Sequence, residues 1–134
     1  MKIMTDTNIL FSALLFPKSK PAEALFHIIE HHSLVLCDYI ISELQNIVSR
    51  KRPDLLADID VLMAKLPYDL ITAPLEPSKL ISDLKDYPII NAAIVADVDI
   101  IINGDRHFLD LEMEYPKPMS VAEFLESVAP HVGV

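Results

Sequence analysis

A single glycine, Gly104, lies in the part of this chain whose pattern predicts a folded domain, and it closes the run Asp99-Ile100-Ile101-Ile102-Asn103. Three β-branched residues without alternation are expected of a short parallel strand covered on both faces. Gly104 then falls where that strand gives way to a helix, beside Asp105. Close backbone packing or an unusual dihedral is expected there. The only other glycine is Gly133, near the C-terminus. Dinucleotide-binding turns, Walker phosphate loops and the G-x-S-x-G nucleophile elbow all need glycines that this chain lacks. It also has no H-E-x-x-H and no Cys/His cluster of zinc type. What remains in quantity is Asp and Glu.

The 134 residues suffice for one domain with a single core. We expect that domain to span 1–134, with its fold reaching about residue 128 and a short C-terminal tail. Charged residues make up 23% and are spread along the chain, against 51% hydrophobic, which favours a packed domain over disorder. A lone cysteine, Cys37, cannot form an internal disulfide, and no secretory pattern opens the chain, so a cytoplasmic location is expected. The apolar run 89–102 is interrupted by Asp97 and Asp99 and is too short to span a bilayer, so no membrane role is expected. A net charge of −9 disfavours binding of nucleic acid through a broad basic surface. It leaves room for an enzyme in which divalent cations held by carboxylates reverse the local sign.

Taken in order, residues 2–5 read as a strand ending at Asp6, with Asp6-Thr7-Asn8 opening a helix through Leu14. Pro17 and Pro21 bracket a lysine-bearing loop before a helix with Ala24, Leu25, Ile28 and Ile29 as its buried stripe. His27, His31 and His32 lie on or beside that helix; an i, i+4 spacing could hold a metal, but no third ligand is suggested nearby and a solvated helix end is the plainer reading. Ser33–Cys37 is a second strand, and Asp38 is placed as the cap of the next helix. There Ile40, Ile41, Leu44, Ile47 and Val48 form one stripe, and Glu43 falls on its border. Glu43 has no cation four residues away, since Tyr39 and Ile47 hold those positions.

Arg50-Lys51-Arg52 is the one basic run, suited to a helix C-terminus and to phosphate contact. Leu55, Leu56, Ile59, Leu62, Met63 and Leu66 predict a further amphipathic helix, and residues 69–73 a third strand. Asp86, ahead of Tyr87-Pro88, fits the cap of a largely buried helix. Residues 99–102 are the fourth strand, 119–121 a fifth and 122–128 a last helix.

Strands alternating with helices along the whole length predict an α/β fold with a parallel sheet covered on both faces. Sites in such sheets form beyond the strand C-termini, where strand order reverses. Asp6 and Asp105 follow strands and Asp86 opens a helix at the same kind of edge, so these three, with Glu43 as a fourth, are candidates to converge. Taken singly, each aspartate reads better as a helix cap and Glu43 as a boundary residue. Together they would repel one another unless a cation joined them, and hard oxygen ligands suit Mg²⁺ or Mn²⁺.

Asp6-Thr7-Asn8, Glu43, Asp83-x-x-Asp86-x-Pro-x-x-x-Ala-Ala and Ile101-Ile102-Asn103-Gly104-Asp105-Arg106-His107-Phe108, in this order and spacing, resemble the PIN-domain nucleases. The similarity is greatest to the VapC-like branch of toxin components of bacterial toxin–antitoxin pairs. The resemblance implies a three-layer α/β/α fold with a five-stranded parallel sheet, and an acidic quartet of Asp6, Glu43, Asp86 and Asp105 that binds Mg²⁺ or Mn²⁺ and hydrolyses RNA. Asp83 would be auxiliary. Asn8 matches the small polar residue that supports the first aspartate, and Asn103 stands where the family usually has Thr or Ser. Arg50, Lys51, Arg52 and Arg106 are the candidates to hold the RNA backbone. A cognate antitoxin and a homodimer are the partners implied.

Two other readings compete. A PIN-like scaffold without catalysis would be a binding module. A haloacid-dehalogenase-like phosphatase would need a second Asp two residues after Asp6, where this chain has Asn8.

Overall fold

A computed structural model of the chain describes residues 1–72, 87–104, 109 and 114–128. Five parallel strands, β1 (Lys2–Thr5), β2 (Ser33–Cys37), β3 (Asp69–Ile71), β4 (Ile100–Ile102) and β5 (Lys117–Met119), form one sheet in the order β3-β2-β1-β4-β5. Helices α1 (Thr7–Leu15), α2 (Lys20–His31), α3 (Asp38–Lys51), α4 (Leu56–Lys65), α5 (Tyr87–Val95) and α6 (Val121–Val128) flank it, with a 3₁₀ turn over Pro53–Leu55. The architecture is the expected three-layer α/β/α arrangement. The three inner strands supply its centre: Ile3, Met4, Leu34, Val35, Leu36, Ile101 and Ile102 are all buried. Runs without alternation are what two covered faces require.

From β1 the chain runs outward through β2 to β3 on one side, then returns to lay β4 and β5 on the other. Strand order therefore reverses between β1 and β4. Register pairs Ile3 with Ile100, Met4 with Ile101 and Thr5 with Ile102, so both strands end at the same level. On the other side of β1, Met4 pairs with Val35.

Local chemistry explains most element boundaries. Ser19 caps α2, its Oγ accepting from the Ala22 N–H, with Pro21 in the first turn. Ser120 and Glu123 form a capping box at α6: Glu123 N–H donates to Ser120 Oγ at 3.0 Å, and Ser120 N–H to Glu123 Oε1 at 3.1 Å.

Other boundaries differ from expectation. The N-cap of α3 is Cys37, without a side-chain bond, and Asp38 is the first helical residue, its Oδ1 accepting from the Tyr39 N–H at 2.9 Å. In α4 only Ile59 and Met63 are buried, while Leu62 of the expected stripe is 43% exposed. This short helix packs on α3 and the 3₁₀ turn, which cover a narrow face. The third strand stops at Ile71. The fifth strand is 117–119 instead of 119–121 and contains Pro118. It is an edge strand, where a missing N–H can face away from the ladder.

Of the features expected at Gly104, the unusual dihedral is not found. Among the described residues a Cβ there would come nearest to Ile9 Cδ1, at 4.0 Å, an ordinary contact, and the residue lies outside the left-handed region. Among the described residues other than glycine, the positive φ belongs to Asp97, at 54°. Asp97 N–H donates to Ile94 O at 3.2 Å and Val98 N–H to Ala93 O at 2.9 Å, the paired bonds of a Schellman ending. Asp takes the left-handed position that glycine usually fills. This stop turns the chain from α5 into β4.

Candidate active site

Asp6 is the best-defined member of the site. It is the residue after β1 and the N-cap of α1, with extended φ −75° and ψ 170°. Its Oδ1 accepts the Ile9 N–H at 2.8 Å, and its own N–H donates to Ile102 O at 3.0 Å. Asp6 is only 5% exposed. A carboxylate is thereby held in one orientation at the reversal of strand order, where the α1 N-terminus favours negative charge.

Asn103 sits across from it. The residue follows β4, is fully buried, and donates its N–H to Met119 O at 2.9 Å. Asp6 and Asn103 thus extend the Thr5–Ile102 register by one residue. Asp38, at the end of the neighbouring β2, brings a further carboxylate to this edge, exposed to solvent. Its place in the sequence marks it only as a cap. The strand-end position that singled out Asp6 applies equally to Asp38.

Glu43 lies five residues into α3, about 7.5 Å along its axis. It is half-buried beside the stripe Ile40, Leu44, Ile47 and Val48, as the periodicity indicates. Arg50 is seven residues further on, which returns it to the same face of α3 about 10 Å away. Arg50 and Lys51 are exposed. Lys51 reaches over the Phe11 ring, its Nζ 5.8 Å from the ring centre. Arg52 is engaged elsewhere: its Nε and Nη2 donate to the two Asp54 carboxylate oxygens at 3.2 and 3.0 Å. These hydrogen bonds lower the Asp54 pKa and raise that of Arg52. Of the basic run, Arg50 and Lys51 are the better placed to meet a phosphate.

Asn8 is exposed in the first turn of α1, and among the described residues its side chain makes no hydrogen bond to Asp6. The backbone of Ile9 takes the orienting role instead. Asp83, Asp86, Asp105 and Arg106 lie outside the described residues. Among the described residues no three His, Cys, Asp or Glu side chains are arranged to hold a metal ion. Asp6 and Glu43 are the two expected acids described, with Asp105 two positions beyond Asn103 in the chain. Cys37, next to this edge, is fully buried, and burial raises its pKa, so it stays a neutral thiol.

Among the described residues no helix is long and apolar enough to cross a membrane. A family model described as PIN domain matches residues 2–107 of the chain. No curated protein matches it.

Proposed function

From the premise that this chain belongs to the PIN-domain family, we propose that it is a metal-dependent endoribonuclease and the toxin of a toxin–antitoxin pair. PIN domains are in general nucleases of RNA or DNA, usually dependent on divalent metals. The observation that carries the finer reading is the seating of Asp6: nearly buried, oriented by the Ile9 N–H and set at the strand reversal beside Asn103. Burying a carboxylate is costly unless charge and hydrogen bonds compensate.

The donor set suits Mg²⁺ or Mn²⁺. Asp6 and Glu43 contribute hard oxygen atoms, and Asp86 and Asp105 are assigned to the same set by their place in the sequence. Such an ion, when bound, activates water and offsets charge on the transferring phosphoryl group. The residues of the chain have separate tasks. Asp6 and Glu43 would hold the cation, and the Ile9 N–H restricts Asp6 to one orientation. Arg50 and Lys51 would guide the RNA backbone along α3 toward Glu43. The buried Asn103 amide would steady the turn leading to Asp105.

The test is cleavage of a fluorescent single-stranded RNA with Mg²⁺ or Mn²⁺. The parent should cleave, and Asp6→Asn and Asp105→Asn should not. Equal cleavage by parent and variants would refute the assignment. Metal binding without cleavage would identify a PIN-like binding module. Co-expression with the neighbouring reading frame tests the toxin role.

A further inference from the structure

We propose that His27 and His31 on α2 form a second cation site, a two-nitrogen clamp for a late first-row divalent ion such as Zn²⁺ or Ni²⁺, separate from the acidic edge. The two residues stand one helical turn apart and face the same way. Their ring centroids are 4.6 Å apart and their planes tilted by 40°. Zinc-type ions sit about 2.0–2.1 Å from an imidazole nitrogen, so two rings sharing one ion have centroids about 4.5–5.5 Å apart. His27 and His31 meet that spacing. The His32 ring, 5.5 Å from that of His27, is at its outer limit. His32 Nδ1 lies 3.4 Å from the Met1 nitrogen. The clamp is therefore assigned to two side chains, with water completing the shell.

Glu30 brings a carboxylate to the clamp, while Glu23 is paired with Lys20 and Lys18 lines the same cleft. Glu23 and Glu30 lie on the same face of α2, at four residues before and three after His27. Glu30 Oε2 is 3.8 Å from His31 Nε2, and Glu23 is 3.3 Å from Lys20. His27 and both glutamates line one solvent-open cleft of about 500 Å³. His27 is also held from behind, its ring edge-on to the buried Phe124 ring at 5.8 Å. One ligand is thus fixed by packing while His31 is exposed and free to adjust. Imidazole nitrogen prefers Zn²⁺, Ni²⁺ or Cu²⁺, whereas the carboxylates of the acidic edge suit Mg²⁺ or Mn²⁺.

The experiment titrates the full chain with Ni²⁺ and with Zn²⁺ in millimolar Mg²⁺, following calorimetry and the imidazole NMR signals. Ni²⁺ should broaden the His27 and His31 resonances before any other histidine signal. His31→Ala, which leaves the Phe124 contact in place, should weaken binding about a hundredfold by removing one arm of a two-point chelate. Asp6→Asn should not change it. Unaltered affinity in His31→Ala, loss of binding in Asp6→Asn, or no binding by the parent at millimolar Zn²⁺ would each overturn the proposal. None of these readouts depends on RNA cleavage, so the clamp and the nuclease reading stand or fall separately.

Discussion

The backbone N–H of Asp6 donates to the carbonyl oxygen of Ile102 across 3.0 Å. That bond ties the residue after β1 to the last residue of β4 and leaves Asn103 beside Asp6 at the point where strand order reverses. Asp6 has two tasks there, as the cap of α1 and as the proposed ligand, and conservative substitutions separate them.

Asn caps a helix as well as Asp does. Asp6→Asn should therefore keep the melting temperature near that of the parent while lowering metal-dependent RNA cleavage at least about a hundredfold. Asp6→Ala should lose the same activity and, with the Ile9 N–H left uncapped, about 1 kcal/mol of stability as well. Urea unfolding beside the cleavage assay distinguishes the two effects.

Arg50 shares a face of α3 with Glu43, whereas Arg52 is bound to Asp54. In an Asp6→Asn background, Arg50→Ala should weaken binding of single-stranded RNA and reduce the slope of log affinity against log salt by about 0.7. Arg52→Ala should leave that slope unchanged. Fluorescence anisotropy at several salt concentrations measures both.

Asp97 holds φ 54° at the end of α5. Replacing it with glycine should stabilise the fold by about 0.5–1 kcal/mol, and replacing it with alanine should destabilise it by about 1 kcal/mol. Paired denaturation curves decide. If alanine were tolerated as well as glycine, the left-handed ending would not be the cause.

Burial raises the pKa of Cys37. The unfolded thiol ionises near the ordinary value of 9.0 while the folded thiol keeps its proton. Above that pH the unfolded state binds fewer protons, so this residue's contribution to stability is complete below about pH 9 and falls as pH rises. Cys37→Ala should flatten the alkaline limb of a stability–pH curve. Native Cys37 should react slowly with iodoacetamide at pH 8 and quickly once unfolded.

Much of this architecture was legible in the residues. The unbroken run Ile100–Ile102 and the alternation of strand and helix imply a doubly covered parallel sheet, and Asp6 after β1 and Glu43 on the rim of an α3 stripe are readable from position and period. Gly104 signals permissiveness without saying whether the backbone uses it, and the structure places it outside the left-handed region. Among the described residues other than glycine, the left-handed position falls to Asp97, selected by how α5 must turn into β4. The fifth strand begins two residues before the expected 119 and takes in Pro118, which a sheet edge tolerates, and edges are invisible until strand order is known.

Sequence alone determined which groups this protein has: hard carboxylates in quantity, almost no glycine, and apolar periods that place each element's buried side. Those follow from local chemistry and repeat length. Tertiary structure decided which of them are neighbours. Parallel register brought Asp6 beside Asn103 from 97 positions apart, and helix packing set Phe11 of α1 beneath Lys51 of α3. It also set His27 against Phe124 of α6. Such proximities depend on strand order and helix docking, long-range choices that no local pattern encodes.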